Sequence, residues 1–259
     1  MNLIDTHCHL AHPRLCHEVG AVLARAAAAG VGACICASGD LREAQASLAL
    51  ARRHANVYAT AGVHPHEAKD FTPETAAAIE QLLGDPLVVA LGEIGLDYFH
   101  DFSPRPVQRE AFAEQLALAR RTGATVVVHT REAFDDTMAI LRAAGVEGSK
   151  VIFHSFTEGP AQARAALDFG GAISFSGIVT FARSQALREA AALVPGDRIL
   201  VETDAPYLSP EPVRKHSPNE PALIVHTVAC LARARNATPE DLADATRANA
   251  MRLFALPEE

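Results

Sequence analysis

The sequence predicts an α/β protein, a (β/α)8 barrel with an additional C-terminal helix, formed as one domain over residues 1–259. Three observations predict it. Short apolar runs alternate with longer Ala-, Leu-, Arg- and Glu-rich stretches, the rhythm of parallel strands covered by amphipathic helices. Eight such units fit within 259 residues, the usual size of a closed barrel. Polar residues follow the apolar runs at their C-terminal ends, and in a parallel barrel those ends share one face. An open doubly wound sheet has less support, because no Gly-x-Gly-x-x-Gly follows the first strand.

The expected strands are Asn2–Asp5, Gly32–Ala37, Val57–Ala61, Val88–Leu91, Thr125–Val128, Val151–His154, Ala172–Phe175 and Ile199–Glu202. Each is a short run rich in apolar residues. Helical patterns fill the intervals: Glu18–Ala29, Leu41–His54, Pro73–Leu83, Pro106–Arg121, Ala133–Ala144, Pro160–Phe169 and Ser184–Leu193. Two more, Ala222–Ala234 and Pro239–Phe254, follow the last strand. Pro73 and Pro239 each follow a threonine, which supplies an N-cap before a proline at the first helical position. Gly30, Gly123 and Gly145 fall where helices should stop.

Composition narrows the function classes. Apolar residues make up 49% of the chain, enough for a large core, and with no tryptophan that core rests on aliphatic side chains. The net charge of −8 and the absence of a basic run argue against broad coating of nucleic acid, though not against a nuclease with local cations. Asp5, His7 and His9 interrupt the N-terminus too early for a signal peptide, and no apolar run could span a bilayer. The five cysteines, Cys8, Cys16, Cys34, Cys36 and Cys230, are irregularly spaced and read as reduced thiols of a cytoplasmic protein.

The chemistry is expected at the strand ends. His7 and His9, spaced i, i+2 on extended chain, face the same side. Two adjacent imidazoles are a poor structural device and a good metal pair. Glu93 follows an apolar strand, where an ionised carboxylate is costly unless paired or coordinated. Its two oxygens can bridge two cations. A carboxylated lysine could do the same, but Lys69, Lys150 and Lys215 lie outside the strand ends. His129 and His154 end adjacent strands. A lone histidine there is more often a hydrogen-bonded core residue; two beside Glu93 read as ligands. Asp204 ends the last strand, which in a barrel neighbours the first, so it should meet His7 and His9 as ligand and general base. Its bland alternative is an Asx turn. His64 and Arg131 are candidates to hold a phosphate, against a strand-end hydrogen bond and a surface ion pair. Asp97 is read as orienting a ligand or making a turn, and Tyr98 and Tyr207 as stacking on a base or packing at the core edge. His12, His66 and His100 have no spacing that ties them to the site.

These residues resemble the TatD family of metal-dependent hydrolases, within the amidohydrolase-like barrels. The matching stretches are Asp5–His9, Gly62–Pro65, Gly92–Tyr98, Val128–Arg131, Val151–Phe156, Glu202–Tyr207 and Asn219–Pro221. They run in order over most of the chain. The resemblance implies two divalent cations (Zn, Mn or Mg), one held by His7, His9, Glu93 and Asp204, the other by Glu93, His129 and His154. It implies a 3′-to-5′ exodeoxyribonuclease using a metal-activated water, with DNA as substrate. Some relatives are D-aminoacyl-tRNA deacylases, which leaves tRNA as an alternative substrate. A noncatalytic metal-binding scaffold and a small-molecule lactonase or amidohydrolase are the other readings. One departure is the segment Arg214–Pro221, which lacks the glycine that relatives carry before Asn-Glu-Pro. The oligomeric state is left open, with a monomer the simplest reading.

Overall fold

A computed structural model describes residues 1–257. Eight strands form one sheet in sequence order: β1 (Leu3–Cys8), β2 (Val31–Cys36), β3 (Val57–Ala61), β4 (Val88–Asp97), β5 (Val126–Arg131), β6 (Val151–Phe153), β7 (Ala172–Phe175) and β8 (Ile199–Val201). Every neighbouring pair is parallel. The sheet curls into a TIM-type barrel. Its ends meet through a parallel bridge between Cys8 and Ala205. The Asp204 N–H donates to His7 O at 2.9 Å, and the His9 N–H to Ala205 O at 2.6 Å. The seam is therefore made by the same segments that carry three of the expected ligands. Asp5, fully buried, reinforces it by accepting the Thr203 N–H at 2.9 Å and the Thr203 hydroxyl at 2.5 Å. Burial pushes the Asp5 carboxyl up to about 7, against the pull of those hydrogen bonds.

Helices α1 (Val19–Ala28), α2 (Leu41–Ala51), α3 (Pro73–Leu82), α4 (Arg105–Thr122), α5 (Phe134–Ala144), α6 (Pro160–Asp168), α7 (Gln185–Leu193) and α8 (Ile224–Ala234) follow the strands. The additional helix is α9 (Pro239–Leu253). Local chemistry sets several boundaries as expected. Thr72 and Thr238 accept the N–H of Thr75 and Asp241 and cap α3 and α9. Gly123 and Gly145 take left-handed conformations that end α4 and α5.

The barrel interior is layered by the period of two along a strand. Ile4, Ile35, Ala90, Val127, Ile152, Ala172 and Leu200 form one apolar cluster. Leu253, Phe254 and Leu256, at and beyond the end of α9, close that cluster from below. Asn249 of α9 locks the helix there, its amide donating to Ile199 O at 2.9 Å. Two residues beyond Val127, Ile152 and Leu200 stand His129 on β5 and, just past the ends of β6 and β8, His154 and Glu202. The polar layer thus sits at the C-terminal mouth, held up by a sealed apolar floor. Phe254→Ala should lower stability by about 3–5 kcal/mol, the cost of an unfilled aromatic cavity, while leaving metal content unchanged. Denaturant unfolding checks the first part, and equal loss of bound metal would contradict the second.

β4 departs most from expectation, continuing past Leu91 to Asp97. Its register slips against β5 between Leu91 and Ile94, so three steps on β4 match two on β5. Gly92 and Gly95 permit this. A Cβ on Gly92 would lie 2.7 Å from Val127 Cβ, and one on Gly95 would overlap the His129 carbonyl oxygen. The irregularity carries Glu93 into the barrel mouth, its N–H held by Ser38 O at 2.9 Å. Among the described residues no helix is long and apolar enough to cross a membrane.

Candidate metal centre

The other five expected ligands gather around the Glu93 carboxylate, which is 4% exposed. Its Oε2 lies 3.2 Å from His7 Nε2 and 3.9 Å from His9 Nε2. Asp204 Oδ1 joins that side, 3.6 Å from His9 Nε2 and 3.9 Å from His7 Nε2. Glu93 Oε1 faces the other way, 2.7 Å from both His129 Nδ1 and His154 Nε2. The two oxygens of one carboxylate thus address two separate ligand groups.

The spacing within each group suits a shared ion. Two imidazole nitrogens ~2.05 Å from a tetrahedral cation lie roughly 3.3 Å apart. His7 Nε2 and His9 Nε2 are 3.3 Å apart, and His129 Nδ1 and His154 Nε2 are 3.4 Å apart. Nitrogen–nitrogen pairs at that distance gain little from each other, and imidazole with carboxylate is a donor set for borderline divalent metals.

Three of the four histidines also meet a carboxylate on their outer side. His9 Nδ1 faces Glu43 Oε1 at 3.3 Å, His154 Nδ1 faces Glu202 Oε1 at 3.2 Å, and His129 Nε2 faces Asp97 Oδ2 at 3.2 Å. An outer carboxylate takes the ring N–H and frees the inner nitrogen as a lone pair, the support that ligating histidines need. Glu202 is fixed in this role by two further hydrogen bonds, accepting from the Ser155 N–H at 2.7 Å and the Ser174 hydroxyl at 2.5 Å. His7 lacks such a partner: its buried Nδ1 has none among the described residues, and its ring is fixed by stacking on His154 at 4.0 Å.

The carboxylates and imidazoles of the site shift one another's titration. Burial opposes the charged form of every group here, but the surrounding opposite charges win for most. Glu93 is held well below the usual carboxylate range by His154, His64 and His129, and Asp204 lies below it through His9 and His7. His9, bonded to Asp204 and Glu43, is raised well above the usual histidine range; so is His154, beside Glu93 and Glu202. His129 is raised as well, through Asp97 and Glu93.

His64 behaves differently. Its Nδ1 accepts the His66 N–H at 3.1 Å, so its neutral form carries the proton on Nε2, 3.3 Å from Glu93 Oε1. Burial lowers its pKa to about 4 despite the Glu93 charge. It is a neutral hydrogen-bond donor at the rim rather than a lone pair for an ion.

The centre opens into a cavity of about 1000 Å³. Arg131 lines it, exposed, with its guanidinium 4.2 Å over the Phe99 ring. Tyr207 lines it too and is 45% exposed, whereas Tyr98 is tied to Asp136 by its hydroxyl at 2.6 Å and covered by Arg105. Arg214 stacks on Phe181 at 3.9 Å. Asn219 and Glu220 serve the loop's structure: the Asn219 amide donates to Thr203 O at 3.0 Å, and Glu220 pairs with Arg25 at 2.7 Å.

Sequence reasoning missed Glu43 and Glu202 as supports, the clustering of His66 and His100 on Asp97, and the aromatic rim. Phe99 and Phe102 are 53% and 62% exposed. For Glu202 a signal existed, since it stands two residues before Asp204 on the strand-end segment. Glu43 lies on a helix, beyond the reach of a strand-end pattern.

Comparison with known proteins identifies the family. The family model of TatD-related DNases matches residues 4–255. A Mycobacterium tuberculosis relative, "Uncharacterized metal-dependent hydrolase TatD", is 41% identical, with 98% of each chain covered. The "3′-5′ ssDNA/RNA exonuclease TatD" of Erwinia amylovora is 38% identical over 98% of this chain and 100% of the relative. Among solved structures, the Escherichia coli K12 TatD homologue YJJV superposes with a TM-score of 0.93 at 32% identity, covering 98% of both chains. A barrel whose mouth gathers histidines and carboxylates, matched along nearly its whole length, belongs to the TatD family of metal-dependent hydrolases.

Proposed function

We propose that this chain hydrolyses phosphodiester bonds of single-stranded nucleic acid, DNA foremost, from the 3′ end, at two divalent cations bridged by Glu93. The opposed orientation of the two Glu93 oxygens is the observation that carries the reading. His7, His9, Asp204 and Glu93 would hold one cation, and His129, His154 and Glu93 the other. When bound, such ions polarise the ester and lower the pKa of water.

The rest of the work falls to the chain. Asp204, ionised and beside His7 and His9, accepts the proton of the attacking water. His64 donates from Nε2 and Arg131 offers its guanidinium to phosphate oxygens, one from the rim and one from the cavity wall. Phe99, Phe102 and Tyr207 give unpaired bases aromatic faces on which to stack. This rim favours a flexible single strand over a small ester, and the Erwinia relative's name agrees with it.

The test compares two substrates in one protein. The double variant Phe99→Ala, Phe102→Ala should lose about 10- to 100-fold in kcat/KM on single-stranded DNA, the scale of base stacking, and keep its rate on a small activated phosphodiester. Equal losses on both would remove the stacking role. Preferential hydrolysis of D-aminoacyl-tRNA over DNA by the wild type would overturn the substrate.

Cation binding should also release protons. His9 and His154, raised well above the usual histidine range, hold protons at neutral pH in the metal-free chain, and His129 is shifted in the same direction. Ligation requires the deprotonated form, so apparent metal affinity should fall as pH drops. Calorimetric titration with Zn²⁺ at pH 7, in buffers of different ionisation enthalpy, reads the protons released. No buffer dependence would show that these rings are not displaced.

A further inference from the structure

Beside the Glu93 centre, three imidazole nitrogens converge on a single carboxylate oxygen. Asp97 ends β4, and Gln108 clamps its backbone, accepting the Asp97 N–H at 2.9 Å and donating to its carbonyl at 3.0 Å. Asp97 Oδ1 is spent on the turn, where it accepts the N–H groups of Phe99 at 3.0 Å and His100 at 2.8 Å. Oδ2 faces His66 Nε2 at 3.0 Å, His100 Nδ1 at 3.0 Å and His129 Nε2 at 3.2 Å.

Hydrogen bonding alone accounts poorly for this. His129 needs Oδ2 as acceptor for its Nε2–H, because its Nδ1 faces Glu93. A carboxylate oxygen has two lone pairs, so His66 and His100 then compete for the remaining one. Their rings are nonetheless both held in place. The His66 N–H donates to His64 Nδ1 at 3.1 Å, and its carbonyl accepts from the fully buried Ser103 at 2.7 Å. Phe102 packs against both rings, with centroids 4.7 Å from His66 and 5.3 Å from His100. Two imidazole nitrogens aimed at one carboxylate oxygen form a donor set for a divalent cation, with open positions left for solvent or substrate oxygens.

We infer that His66, Asp97 and His100 form a third divalent-cation site, separate from the two positions at Glu93 and opening into the same cavity. His66 Nε2, Asp97 Oδ2 and His100 Nδ1 supply the ligand atoms, which all lie within 4.8 Å of one another. The occupant is a borderline divalent metal such as Zn²⁺. The site lines the cavity together with Arg131 and Phe102. A cation there would take an oxygen of a phosphate neighbouring the scissile one. It would also offset the repulsion between a polyanionic strand and a chain of net charge −8. That role rests on the proposed phosphodiesterase reading; the existence of the site does not.

The experiment is equilibrium dialysis of the metal-stripped protein against saturating Zn²⁺, with bound metal counted by mass spectrometry. Wild type should hold three ions per chain, and His100→Ala and His66→Ala two each. Both rings are partly exposed, with side chains 32% and 24% accessible, and metal-free melting temperatures equal to wild type would show that the turn survives. A wild-type count of two, unchanged in His100→Ala, would overturn the third site and leave the Glu93 reading standing. A wild-type count of one, lost in His100→Ala, would do the reverse. Three ions in both proteins would also overturn it.

Discussion

Asp204→Asn should reduce kcat by roughly 10³-fold at saturating metal and leave the fold intact, the usual scale for removing a general base. Two features make this substitution clean. Asp204 sits at φ 57°, a left-handed conformation that asparagine tolerates nearly as well as aspartate. Its backbone N–H, bonded to His7 O at 2.9 Å across the barrel seam, is untouched. What changes is the carboxylate. Burial disfavours its charge, yet His9 and His7 hold it below the usual range, so it stands ionised and ready for a proton. An amide of the same shape accepts none. Steady-state kinetics on a small phosphodiester, with metal content measured in parallel, separate lost basicity from lost ligation. Wild-type kcat in a metal-replete variant would remove Asp204 from the reaction.

Glu93→Gln should be more damaging, because it disturbs both cation positions at once. Glutamine keeps one carbonyl oxygen and replaces the other with an NH2 that has no lone pair to offer. Whichever way it turns, one histidine group faces a donor in place of an anion. The backbone has little freedom to adapt: Gly92 and Gly95 are packed against β5 without room for a Cβ, and the Glu93 N–H is held by Ser38 O. The expected result is loss of bound metal at both positions and a fall in activity of at least ~10³-fold, as for removal of an essential metal-site group. Two tightly bound ions retained by Glu93→Gln at the Glu93 centre would show that the bridge is dispensable.

The barrel was legible because its physics is local and repeated. Apolar runs such as Val126–Val128 and Val151–Phe153 can be buried on both faces, and Thr72-Pro73 and Thr238-Pro239 announce helix starts. The metal-site candidates were legible because a parallel barrel turns sequence position at a strand end into spatial proximity. His129 and His154 follow Val127 and Ile152 by two residues, and barrel closure places Asp204 beside His7. The full extent of β4 was not legible. Gly92, Glu93 and Gly95 break its apolar run, and only pairing with β5 out to Asp97↔Arg131 keeps the chain extended. Glu43, His66 and His100 escaped for another reason. They reach the centre from a helix and from loops, where no period links sequence spacing to facing direction.

In the proposed centre one carboxylate, Glu93, separates two cation positions at the barrel mouth. Anomalous diffraction at the absorption edge of the bound metal, from crystals grown with Zn²⁺ or Mn²⁺, tests it most directly. A peak is expected on each side of Glu93, one between Oε2 and the His7, His9 and Asp204 group, the other between Oε1 and the His129 and His154 pair. A single peak shared by all six residues, or none touching Glu93, would contradict it.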